Sequence, residues 1–134
     1  MITRKALEAA DVARMLAAAE AEAVRNKWAV TIAICDDGGH LLALKRLDGA
    51  APISSYIAPE KARCSALGRR DSGVYEKLIN EGRTAFLSAP VLQGMLEGGV
   101  PIVVDGEVIG AVGVSGVKST EDEQTARAAI AALG

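Results

Sequence analysis

The sequence has little of what proteins use to handle nucleic acids, metals or membranes. Four of its 134 residues are aromatic (Trp28, Tyr56, Tyr75 and Phe86), too few for a platform on which single-stranded bases stack. It has one histidine, His40, and two isolated cysteines, Cys35 and Cys64. No C-x-x-C pair occurs, so neither a zinc site nor covalent haem attachment through C-x-x-C-H is expected. The cysteines read as buried, reduced thiols. The charges are of mixed sign with no basic block, and the net charge is -2, which argues against a nucleic-acid partner. No apolar run approaches the ~20 residues of a bilayer span. The opening "MITRKALEAADVARML" lacks the apolar stretch and cleavage site of a signal peptide. A cytoplasmic protein with no membrane partner is the expectation.

Apolar residues, in contrast, make up half of the chain, enough for one packed core in a single domain covering 1–134. Thr3 is a candidate cap for a helix ending near Asn26, with Leu7, Ala10, Met15, Leu16, Ala19 and Ala23 on its inner face. Residues 28–36 alternate as a strand: Trp28, Val30, Ile32 and Ile34 share one face, and the small Ala29, Thr31, Ala33 and Cys35 the other. "DDGG" (36–39) is a turn signal, and 40–46 returns as the second arm of a hairpin. Helices are expected over 58–67, with Pro59 in the first turn, and over 74–82. A short apolar piece, 91–96, follows. Strands 100–104 and 107–115 flank a turn at Asp105–Gly106, and a last helix runs from Ser119 or Thr120 to Leu133. Hairpins of this kind imply an α+β fold with a mainly antiparallel sheet. Both terminal helices are rich in alanine, and they are expected to cover the sheet's small-residue face.

"GGVPIVVDGEVIGAVGVSG" (98–116) carries six glycines, yet it is no phosphate loop. It lacks G-x-x-x-x-G-K-[ST] and a G-x-G-x-x-G fingerprint, and Gly110 and Gly113 fall inside an alternating strand. Glycine inside a strand marks close approach by another group, either a tightly packed helix or a ligand. Ser115–Gly116 precedes a helix N-terminus, where free N–H groups favour an anion.

The segments "DDGGHLLALKRLDGA", "APEKARCSA", "GGVPIVVDGEVIGAVGVSG" and "EDEQTARAAI" together resemble the GlcG/HbpS-like family. This is the haem-degrading domain family, also found as the C-terminal domain of PduO proteins. The resemblance spans nearly the whole chain. It implies a profilin-like sandwich with a five-stranded, mainly antiparallel sheet and helices on both faces. It further implies homo-oligomers, and binding of haem or corrinoid-related ligands by some members.

Two functions follow as expectations. The first is a small-molecule-binding protein whose ligand is non-covalent haem, another tetrapyrrole or an organic acid. An anionic ligand is expected where Arg46, Lys61, Gly98, Gly99, Ser115 and Gly116 converge, because cations and free backbone N–H groups hold carboxylates. His40 is the candidate haem-iron ligand, as a neutral imidazole; its alternative is a turn residue with its ring in solvent. The second is a small cofactor-independent enzyme acting on a carboxylate metabolite, with proton transfer or hydrolysis through Lys61, Glu97 or Asp122. No triad or cofactor fingerprint supports it, so binding leads. For Lys61 the alternative is a solvated helix lysine, and for Asp122 and Glu123 it is stabilisation of a helix end.

Overall fold

The alternation read in residues 30–35 governs the architecture, because the two faces it creates are covered by different helices. The computed structural model describes residues 1–134. It contains α1 (Ala9–Asn26), β1 (Thr31–Asp36), β2 (Leu41–Arg46), α2 (Ser54–Gly68), α3 (Ser72–Asn80), a 3-10 turn (Thr84–Ser88), β3 (Gly99–Val104), β4 (Glu107–Ser115) and α4 (Ser119–Ala131). The strands form one open antiparallel sheet in the order β2-β1-β4-β3. Thr31 lies between Arg46 and Ser115, and Gly99 pairs with Gly113.

The sheet has four strands, not five. Residues 91–96 join no ladder. Val91 holds a left-handed φ of 69°, Gly94 abuts the α2 backbone at Glu60, and Met95 packs with Cys64 and Tyr75. The segment closes the far side of α2 instead of extending the sheet.

The helix placement also corrects the expectation. Helices do cover both faces, but α1 and α4 lie on the bulky one. Met15, Ala19 and Ala23 of α1 and Ala126 and Ala129 of α4 pack on Val30, Ile32, Ile34, Val112 and Val114. Large strand residues against small helix residues interdigitate at interior density. On the small-residue face lies α2, where Ala58, Ala62 and Ala66 meet Ala33, Cys35 and Ala111. Small residues on both sides let the α2 backbone touch the sheet. A Cβ on Gly113 would stand 2.2 Å from the Ala58 carbonyl oxygen and 2.5 Å from the Ala62 nitrogen.

Helix ends differ in detail from the sequence reading. The first helix begins at Ala9, not near Thr3, because Asp11 accepts the Glu8 N–H at 2.8 Å and caps it there. The chain before it is tied down by Lys5 to Asp105 and Arg4 to Asp37. In α2 the start is four residues earlier than read, so Pro59 is interior. Ser54, at that start, is buried and shares a 2.7 Å hydrogen bond with Thr31 of β1. The last helix is capped by Glu121 accepting the Lys118 N–H.

Candidate functional site

The β1–β2 turn is built around one carboxylate. Asp36 Oδ1 accepts the backbone N–H groups of Gly38 and His40, each at 2.9 Å, which fixes the turn that the "DDGG" signal announced. The same carboxylate meets His40 Nδ1 at 3.1 and 3.2 Å. Burial pulls the Asp36 carboxyl upward, but the His40 and Gly38 N–H groups and the His40 ring outweigh it, leaving it below its ordinary value. Asp36 therefore stays ionised and takes the Nδ1 proton as acceptor, so the lone pair of the neutral imidazole sits on Nε2. The ring is 81% exposed, with Nε2 directed away from the carboxylate. Beside it, Gly39 rests on Arg63 and Leu67 of α2, and Leu41 and Leu67 present exposed apolar surface.

A second polar centre lies under α2. Lys61 is no solvated helix lysine: its side chain and that of Asp122 are only 4% and 3% exposed. The Lys61 ammonium donates to Asp122 Oδ2 at 3.0 Å and to the Val114 carbonyl at 2.9 Å. Asp122 Oδ1 accepts the Val117 N–H. Burial pushes the Asp122 carboxyl up, against the pull of the ammonium and of that N–H. Gly98, at φ 133°, passes so close that a Cβ there would meet the Lys61 ammonium at 2.7 Å. Gly99 likewise faces the Lys61 carbonyl, and its N–H donates to Ser72 Oγ at 2.8 Å. Glu97, the other proposed proton carrier, accepts from Ser119 at 2.7 Å.

The expected convergence is partial. Gly98 and Gly99 press on Lys61, whose ammonium reaches the Val114 carbonyl, one residue before Ser115, whereas Gly116 abuts Ala29 and Val30. Arg46 is exposed on the edge strand, in one row with Thr31 and Ser115 across β2, β1 and β4. His40 belongs to the opposite end of the sheet, since β2 runs about 20 Å from its turn to Arg46 at a strand rise of ~3.3 Å per residue. Cavities of about 440 and 400 Å³ lie elsewhere, on the side of α1. Two polar partners went unnoticed in the sequence: Asp36, whose D-x-x-x-H spacing across a turn was a usable signal, and Ser72, which had none.

Residues 7–131 match the family model for haem-degrading HbpS-like proteins. Protein GlcG of Escherichia coli K12 is 56% identical over 115 residues, 86% of this chain and 85% of that protein. A double mutant of Streptomyces reticuli HbpS superposes with a TM-score of 0.89 at 28% identity, covering 100% of this chain and 91% of that one. The PduOC:heme complex superposes at 0.88, also at 28% identity, covering 97% and 96%. With the family model spanning nearly every residue and more than half of the aligned positions identical in GlcG, this chain belongs to the HbpS-like family.

Proposed function

We propose that this protein binds haem non-covalently and that His40 is its iron ligand. The observation that carries the reading is the Asp36–His40 pair: a carboxylate holds Nδ1 and leaves an exposed Nε2 as the free donor. Metal-ligating histidines are held in this way, with the outer nitrogen bonded to a carboxylate that fixes the tautomer and raises ligand basicity. Exposed Leu41 and Leu67 give apolar surface for a flat macrocycle beside the ring. The likeness to a PduOC:heme complex supports the same ligand class. Bound haem would supply an iron centre; the chain supplies an oriented imidazole and an apolar flank.

Haem titration followed by the Soret band tests this. Wild-type protein is expected to give a saturable, shifted band. His40→Ala should abolish the shift, and Asp36→Asn should weaken binding by roughly 10–100-fold, the usual effect of losing an outer-shell partner. A His40→Ala spectrum and affinity equal to wild type would overturn the assignment. The row of Arg46 and Ser115 favours a second reading, an organic acid bound at the other end of the sheet. It requires a small carboxylate to raise the melting temperature in a manner lost in Arg46→Ala and kept in His40→Ala.

A further inference from the structure

Three guanidiniums lie around the turn that carries His40, and two of them are already partnered there. Arg69 donates to the carbonyls of Asp37 and Ala66. Arg4 meets the Asp37 carboxylate at 3.4 Å. Arg63 differs. Its stem rests on the turn, where a Cβ added to Gly39 would stand 2.8 Å from Arg63 Cγ. Its guanidinium reaches only the Glu60 carboxylate, at 3.9 Å, too long for a hydrogen bond. The side chain is 43% exposed. His40 stands at the neighbouring glycine, its ring 2.9 Å from where a Cβ on Gly38 would be. Leu67, one helical turn on from Arg63, also rests against Gly39. One turn thus gathers an imidazole, the exposed Leu41 and Leu67, and a cation without a hydrogen-bond acceptor.

We infer that Arg63 holds an acidic side group of the macrocycle, so that the site selects tetrapyrroles with free carboxylates over those whose edges are esters or amides. The inference rests on His40 as the iron ligand and adds the ring substituents to that reading. A haem is apolar over its faces and carries its propionates along one edge. With the iron on Nε2 and a face on leucine, that edge is what remains to be held. A guanidinium suits it, because its planar fork matches a carboxylate bidentately. Asp36 and Asp37 are engaged by His40, Arg4 and Arg69, which leaves Arg63 as the cation at this turn able to take a new negative charge. An exposed and loosely held Arg–Glu pair contributes little to folding, so exchanging Glu60 for a propionate costs the fold little. Lys61, the anchor expected from the sequence, is buried against Asp122; Arg63 lies two residues on, at the surface.

Parallel titrations with haem and with haem dimethyl ester, followed by the Soret band, test it. Esterification removes the propionate charges and leaves the iron and the ring unchanged. Wild type should bind haem roughly 10–100-fold more tightly than the ester, the range of one charge-assisted hydrogen bond. Arg63→Gln keeps the Cβ and Cγ that rest on Gly39. It should lose most of that preference, with the Soret maximum of the saturated complex unchanged. Arg63→Lys, which keeps the charge without the fork, should retain part of it. Equal binding of haem and ester by wild type, or a folded Arg63→Gln variant with the wild-type preference, would overturn the inference and leave His40 as the iron ligand. Binding and spectra unaffected by His40→Ala would overturn both.

Discussion

Lys61 and Asp122 stand 61 positions apart and meet beneath α2 with almost no water. Neither fate was legible from local sequence, because a helix lysine and an acid in the first turn of a helix each have an ordinary solvated reading. Only the tertiary fold, which lays α2 across β4 and the start of α4, brings them together. A buried ion pair is costly to break and cheap to replace. Lys61→Met or Asp122→Leu alone should therefore destabilise by about 3–5 kcal/mol, and the double variant by much less than the sum. Urea denaturation of all four proteins would measure this coupling. Additive losses would mean that the two groups do not act as a pair. His40 was more legible: a lone histidine after a glycine turn is visible in sequence, and its carboxylate partner lies four positions upstream.

Among the elements, strand identities and faces were readable because alternation is a local, period-two signal. What failed was the assignment of helices to faces, since alanine-rich sequence suits either side of a sheet. The deciding feature was glycine: Gly94, Gly99 and Gly113 all abut the α2 backbone, so α2, not the terminal helices, occupies the small-residue side. Gly113→Ala should test this contact. The added methyl meets backbone on α2 rather than a movable side chain, and overpacking of this kind costs about 1–3 kcal/mol. Thermal melts should show a clear loss. A neutral substitution would mean that α2 stands off the sheet more than the geometry indicates. The fifth strand failed for a different reason. A short, mostly apolar piece carries no signal that separates an edge strand from a loop cover, and residues 91–96 are the latter.

At the scale of the whole molecule, the two thiols report on different layers. Cys35 sits between the sheet and α2, and Cys64 between α2 and the cluster of Tyr75 and Met95. Burial pushes Cys35 to about 12 and Cys64 to about 11, so almost no thiolate exists at neutral pH. Ellman's reagent should label neither in the native protein and both in urea, and any native-state labelling should begin at Cys64, under the loop cover, before Cys35. Rapid labelling of Cys35 in the native protein would contradict the closed α2 layer. The sheet order has a further consequence, for the time course of folding. The central neighbours β1 and β4 pair Thr31 with Ser115, near opposite ends of the chain, so a large loop must close before the middle of the sheet exists. Until residues 107–115 leave the ribosome, the β1–β2 hairpin holds Ile32 and Ile34 without their β4 neighbours and α2 has no Gly113 to rest on. Folding during synthesis must therefore wait for nearly the last strand, and the nascent chain carries an unpaired apolar strand edge for most of its elongation.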